Sequence, residues 1–362
     1  MAILHEATKE VICKLVYHGT GMCGKTTSLM FLNHQLPASQ RGRFISLETP
    51  TERTLYFDFL PVMTEARGYK FRYLLFTTPG QDYYEASRKL VLKGADGIVY
   101  VVDSQRDRTA ENLSALSLLE KNLIEMGQRP DLLPTVIQYT KRDLASAVSL
   151  DEAEKKYNPK HLLSFPAVAR TGQGVYESFL TIAKMALTKL TTPDGESRMG
   201  DLFKSSVITG EDAVKLRNHL ARLNADSTAK GSMIVDESSS LLATHGEIPS
   251  KDFETLGALL ACNFTAAQEL AFHMSGQGFT GIIQKGAKWN MTASRIDKRR
   301  FLVVLCDSSV DRRRLDNAMN YARGTLAAAL MQIDRMSPSR LAQFGAVFTS
   351  VNRLAVASMA AV

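Results

Sequence analysis

The run Gly19-Thr20-Gly21-Met22-Cys23-Gly24-Lys25-Thr26-Thr27 leaves this chain few folds to choose from. Gly19 to Thr26 fits the pattern G-x-x-x-x-G-K-[ST]. A strand-like run, Val11–Tyr17, precedes it, and Ser28-Leu29-Met30-Phe31-Leu32 reads as the first turns of a helix. The glycines let the backbone turn several N–H groups toward one phosphate chain, and the helix N-terminus adds partial positive charge. In that setting Lys25 reaches the β- and γ-phosphates of a nucleotide and Thr26 holds Mg²⁺. The plain alternative is a chance glycine turn before a helix. The strand–loop–helix setting argues against it.

Length and charge bound the rest. The 362 residues leave room for two domains, each with a substantial core. The net charge of +7 divides evenly, +4 up to Leu190 and +3 beyond. No basic tail announces nucleic acid as a partner. Lys298-Arg299-Arg300 and Arg312-Arg313-Arg314 read as solvated faces, with contact to an anionic membrane surface left open. The four cysteines are far apart and form no C-x-x-C pair, so neither a disulfide framework nor a zinc site is expected. Glu6, Lys9 and Glu10 argue against a signal peptide, and no uncharged apolar run is long enough to span a bilayer. A cytoplasmic, reduced protein is expected.

Up to about Leu190, strand-like and helix-like segments alternate, which predicts an α/β fold with a mostly parallel sheet and helices on both faces. Leu55–Leu60 and Phe71–Thr77 read as an antiparallel hairpin. Gly97–Val102, Thr135–Tyr139 and Phe165–Ala169 read as further strands. Ala110–Met126 and Gly174–Leu190 read as helices. Three more motifs fall where these strands end: Thr77-Thr78-Pro79-Gly80-Gln81, Thr140-Lys141-Arg142-Asp143 and Val168-Ala169-Arg170-Thr171-Gly172. A parallel sheet presents its ligand outside the carboxyl ends of its strands, so these motifs are expected around one nucleotide.

The four motifs in this order resemble a small Ras-like GTPase. The resemblance implies that the Gly80 N–H senses a γ-phosphate and that Gln81 orients the attacking water. Asp143 would accept two hydrogen bonds from guanine, a donor pair that adenine lacks, and the Lys141 stem would pack along the base. Thr140 stands where the family has Asn, which leaves base specificity less firmly indicated. Glu48-Thr49-Pro50-Thr51-Glu52-Arg53-Thr54-Leu55-Tyr56-Phe57-Asp58-Phe59-Leu60-Pro61 and Ala86-Ser87-Arg88-Lys89-Leu90-Val91-Leu92-Lys93-Gly94 narrow this to the MglA-type bacterial GTPases. That family implies an intrinsic arginine finger at Arg53 and a second Mg²⁺ ligand at Thr54. Without the resemblance, Arg53 reads as an exposed loop arginine. Thr77 stands where a D-x-x-G motif opens with its magnesium-shell Asp, a departure shared by MglA-type chains that bears on the strength of Mg²⁺ binding.

A linker is expected over 191–208, rich in polar residues with Pro193, Gly195 and Gly200. Beyond it, Thr209-Gly210-Glu211-Asp212 fits a capping box opening a helix to about Leu223. Strands are expected at Ser232–Glu237, Leu241–His245, Phe279–Gln284, Asn290–Ile296 and Phe301–Cys306, with helices at Ser250–Met274 and Asp311–Met331. This α-β-β-α-β-β-β-α order over 209–331 resembles an α+β roadblock domain of the MglB kind. Such domains pair through a sheet edge and a helix, so a homodimer is implied. The tail over 332–362 reads as an amphipathic helix, a frayed end or a surface-binding helix, and the sequence does not choose.

The expected function is a GTP-hydrolysing switch, with Mg²⁺ as cofactor, GTP and GDP as substrate and product, and effector proteins as partners. Nucleotide contacts are expected from Gly19, Thr20, Gly21, Met22, Cys23, Gly24, Lys25, Thr26, Thr27, Gly80, Lys141, Asp143 and Ala169. Hydrolysis is assigned to Gln81 and Arg53. The competing reading is a nucleotide-gated scaffold that binds GTP and hydrolyses it negligibly.

Overall fold

A computed structural model describes residues 2–6, 8–48, 54–66, 68–80, 85–191 and 206–360. Arg53 and Gln81 lie outside the described residues, as do the side chain of Thr54 and most of the expected linker. The described chain forms two compact units. The first holds Ala2 and residues 9–191 and 341–360, and the second joins Ile3–Thr8 to residues 206–340. Of the N-terminal segment expected in the first domain, Ile3–Thr8 cluster with the second unit.

In chain order the elements are β1 (Ile3–His5), β2 (Glu10–Gly19), α1 (Lys25–Gln35), β3 (Ile45–Glu48), β4 (Thr54–Ala66) and β5 (Tyr69–Thr77). There follow α2 (Glu85–Leu92), β6 (Gly97–Asp103), α3 (Thr109–Glu125), β7 (Thr135–Thr140), α4 (Leu150–Tyr157), β8 (Ser164–Pro166) and α5 (Val175–Thr191). The second unit adds β9 (Ser206–Ile208), α6 (Gly210–Ser227), β10 (Gly231–Asp236), β11 (Leu241–Gly246) and α7 (Phe253–Ser275). It closes with β12 (Gly281–Lys285), β13 (Asn290–Arg295), β14 (Arg300–Cys306) and the part of α8 (Arg312–Ala360) up to Arg340.

The first unit's sheet runs β3-β4-β5-β2-β6-β7-β8. β2 pairs in parallel with β5 and β6, and β7 in parallel with β6 and β8. The expected hairpin forms as β4 and β5, antiparallel, with Phe59 opposite Phe76. α1 packs with α5, and α3 packs with α2 and α4, as helices do on a sheet covered from both faces. Every position of β6 is buried, which explains why it reads as a continuous apolar run rather than an alternating one. Parallel pairing brings the ends of β2, β6 and β7 to one edge, where the motif loops leave the sheet.

The second unit is a five-stranded antiparallel sheet, β11-β10-β14-β13-β12. Alternation along β10 splits its core in two. Ile234 faces Leu216, Leu220 and Leu223 of α6 and Leu315, Leu326 and Leu330 of α8. Met233 and Val235 face Leu260, Ala261 and Phe264 of α7, where the Phe264 and Phe301 rings stack with centroids 4.6 Å apart. Thr209 and Asp212 form the capping box reciprocally, the Asp212 N–H donating to Thr209 Oγ1 at 3.2 Å and the Thr209 N–H to Asp212 Oδ2 at 3.0 Å.

Two features here escape a pattern reading. β1 is only three residues long, yet it pairs in parallel with β9, Ile3 opposite Ser206, and buries Ile3 fully beside Ile208 and Leu216. α8 does not end at Met331 but continues to Ala360. Ile333 and Ser337 carry its buried stripe onward at helical spacing, with Arg340 half-buried one turn on. Ser337 Oγ accepts the Val207 N–H at 2.8 Å, and Arg340 Nη1 donates to the Val207 carbonyl at 2.9 Å and to Asp212 Oδ2 at 2.6 Å.

Candidate nucleotide site

The phosphate loop is held by contacts that only small residues allow. A Cβ on Gly19 would stand 2.2 Å from the Val101 carbonyl oxygen on β6. Gly24, at the N-cap of α1, has φ +102°, the left-handed region that favours glycine. A Cβ there would meet Ala169 Cβ at 3.4 Å and Thr140 Cγ2 at 3.6 Å, so two other motif loops rest on this one. The Thr140 hydroxyl lies 2.7 Å from the Cys23 carbonyl and 2.9 Å from that of Val102, tying the β7 loop to the phosphate loop. Thr140 thus serves as a tether even though it is not the family's Asn. The expected strand at Phe165–Ala169 is shortened to β8, which frees Ala169 to pack in the loop against Gly24.

Lys25 is buried and its Nζ donates to the carbonyls of Gly19, at 2.9 Å, and Thr20, at 2.6 Å. It therefore lies folded back over the inner face of the loop, one positive charge inside a ring of backbone. Thr20 and Cys23 are buried, while Met22 and Thr27 are exposed at its rim. From the opposite side, Arg108 Nη2 donates to the Gly21 carbonyl at 3.2 Å. Gly80 closes against the same loop, since a Cβ on it would stand 2.4 Å from both N and Cα of Gly21.

In the loop after β7, Lys141 has φ +59°, and its Nζ lies 2.6 Å from Asp103 Oδ2 and 3.1 Å from Gln105 Oε1. Asp143 is exposed, and its Oδ2 lies 3.6 Å from Arg170 Nη2. Lys141, Asp143 and Ala169 thus come from loops of the same sheet edge, as their sequence order implies.

Two residues that the sequence did not assign complete the site. His18, fully buried, sets Nε2 3.2 Å from the Ala115 carbonyl and Nδ1 3.0 Å from Thr78 Oγ1. A carbonyl only accepts, so Nε2 carries the proton and Nδ1 accepts from the threonine. Burial pushes the imidazole pKa down to about 3. The Ala115 carbonyl works the other way, and the positive charges of Lys25 and Arg88 add to the fall. His18 is thus a neutral link between the β2 terminus and the loop carrying Gly80.

The second is Asp58 on β4, with none of its surface exposed. Its Oδ2 accepts from Thr26 Oγ1 at 2.6 Å and from Thr77 Oγ1 at 2.7 Å, and Oδ1 accepts from Ser46 Oγ. One acidic residue within the apolar run Leu55–Leu60 was the signal that could have found it. A threonine hydroxyl hydrogen-bonded to a buried carboxylate is an all-oxygen arrangement of the kind Mg²⁺ takes, so the residues present fit that ion. Thr54, the other expected ligand, opens β4.

The Ras family pattern matches residues 14–188, and the Roadblock/LC7 domain pattern matches residues 215–305. Over 191 residues the chain is 47% identical to the mutual gliding-motility protein MglA of Myxococcus xanthus (strain DK1622), covering 52% of this chain and 98% of that protein. Among solved structures, Myxococcus xanthus MglB is similar at 24% identity, over 33% of this chain and 96% of that one, with a TM-score of 0.31. The gliding protein MglB of Thermus thermophilus is similar at 19% identity, over 36% and 99%, with a TM-score of 0.33.

Proposed function

The chain belongs to the Ras-family GTPases of the MglA kind, with a roadblock domain following, and from that premise we propose that it is a GTP-hydrolysing switch regulated by its own second domain. The observation that carries this reading is the convergence on one phosphate loop of Gly80, Thr140 and Ala169, each from a different strand end. The reaction is phosphoryl transfer from GTP to water. Backbone N–H groups of the loop and the N-terminus of α1 would cradle the phosphates, and Lys25 would offset charge on the β- and γ-oxygens. Thr26 and Thr54 would hold Mg²⁺, which supplies further positive charge to the phosphate oxygens. Gln81 would place the attacking water and Arg53 would neutralise charge building in the transition state. Asp143 would select guanine, with Lys141 beneath the base.

The second unit has the form of a partner-binding module. β12 ends its sheet with β13 as its one strand partner, leaving a free edge among the described residues. Ile283 on β12 and Leu259, Leu270 and Met274 on α7 are exposed. An unpaired edge beside an apolar helix face suits a second copy of the chain, and a homodimer through this domain is part of the proposal. The relative's name extends to this chain as a proposed role in gliding motility, and action in the cytoplasm through effector proteins, with a role in polarity as the other possibility, is part of the same proposal. No helix among the described residues is long and apolar enough to cross a membrane.

The test is single-turnover phosphate release from GTP by the full chain, beside Arg53→Ala. A finger is worth about 10³–10⁵ in rate, so that variant should be slower by at least a few hundredfold. Tight GTP binding with no release in the wild type would leave a nucleotide-gated scaffold, the reading that Thr77 favours.

A further inference from the structure

Thr77 cannot do what a carboxylate does, and the structure shows a carboxylate reaching its place from the neighbouring strand. Asp58 lies one step beyond the Phe59–Phe76 pair of the β4–β5 ladder, beside Thr77. The Thr77 hydroxyl accepts the Asp58 N–H at 2.8 Å and donates to Asp58 Oδ2 at 2.7 Å. This two-way clamp, with Ser46 on the other oxygen, aims Oδ2 at Thr26 Oγ1. Burying a carboxylate is costly unless its charge is compensated. Here three hydroxyls surround it, and no Lys or Arg among the described residues makes an ion pair with it.

We propose that Asp58 supplies, from β4, the buried carboxylate that orders Mg²⁺ binding at Thr26, and that Thr77 serves to hold that carboxylate in place. The proposal rests on the nucleotide-switch reading. Accepting from the Thr26 hydroxyl fixes that hydroxyl's orientation and makes its oxygen a better metal donor. The negative charge compensates a bound dication in a site with little access to water. The missing D-x-x-G carboxylate has then been exchanged between two adjacent strands rather than lost.

The test loads the full chain with a fluorescent GDP analogue and follows its release against free Mg²⁺. Asp58→Asn keeps the shape, and it should raise the Mg²⁺ concentration that half-suppresses release by roughly 10–100-fold. The exchange variant Asp58→Thr with Thr77→Asp should restore the midpoint to within about threefold of wild type, because the carboxylate again stands beside Thr26. A folded Asp58→Asn with an unchanged midpoint overturns the inference and makes Asp58 a structural group only. If Asp58→Asn does not fold, the exchange variant decides, and a midpoint at least about tenfold higher overturns it. A wild-type chain that takes up no guanine nucleotide refutes the switch reading itself, and that is seen before any variant is compared.

Discussion

Gly80 lies directly on the backbone of Gly21: a single added carbon on Gly80 would stand 2.4 Å from Gly21 N and Cα, closer than any real contact. In the other direction the fit is looser, since a Cβ on Gly21 would meet the Gly80 carbonyl oxygen at 3.5 Å. The two glycines join the phosphate loop to the loop that leads into Gln81. A side chain on Gly21 that reaches beyond Cβ must push that second loop away.

Gly21→Val should therefore retain GTP binding but lose hydrolysis. The first carbon is accommodated, and the two methyl groups beyond it press on the Gly80 loop. We expect calorimetric GTP affinity within about tenfold of wild type and single-turnover phosphate release slowed by at least about a hundredfold. Full turnover in this variant would show that the Gly80 loop does not shape the reaction.

Lys25→Ala should abolish tight binding. The variant loses the loop's buried cation and leaves the carbonyls of Gly19 and Thr20 without the donor they share. Hydrogen bonds to a charged group contribute about 1.5–3 kcal/mol each, so GTP affinity should fall by at least about a hundredfold. Unchanged affinity by calorimetry would remove Lys25 from the site.

Asp143→Asn should erode the choice of guanine. One acceptor oxygen becomes a donor facing a donor. Competition between GTP and ATP should shift toward ATP by at least about tenfold, the cost of one lost hydrogen bond with an unpaired group. An unchanged ratio would give Asp143 to its contact with Arg170 alone.

His18 should tie stability to pH. Its pKa is held near 3 in the fold, below the ordinary value of 6.5. The unfolded chain then binds a proton that the folded chain refuses. Stability from this residue is full above pH 6.5 and is lost as pH falls toward 3, by up to about 1.4 kcal/mol per pH unit. Urea midpoints at pH 7 and pH 5 should differ more for wild type than for His18→Asn. Equal pH dependence would mean that His18 titrates as it does in water.

The second unit should dimerise through β12 and α7, and Ile283→Lys should prevent it. Light scattering on the full chain is the check, with a strict monomer at high concentration ruling the dimer out. For turnover without the second unit, residues 9–191 are the chain to use. Beginning at residue 1 would carry β1 along without β9, leaving Ile3 exposed. Equal rates for this shortened and the full chain would show that the second domain recruits partners without acting on hydrolysis.

The sequence by itself determined the elements whose signal is local. A strand, a glycine loop and a helix in succession mark the phosphate loop, because its chemistry is carried by consecutive residues. The helix and strand order of the second domain was legible because 3.6- and 2-residue periods show which faces are buried, and the capping box because its two partners are three residues apart. Tertiary structure decided whatever depends on residues far apart in the chain. Ile3 falls in the expected first domain until β9, some two hundred positions on, offers it a ladder. α8 runs past Met331 because Ser337 and Arg340 find Val207 and Asp212 across the fold. Thr77 reads as a lost carboxylate until the antiparallel ladder sets Asp58 beside it, since a function tied to a position in space can be met from either of two neighbouring strands.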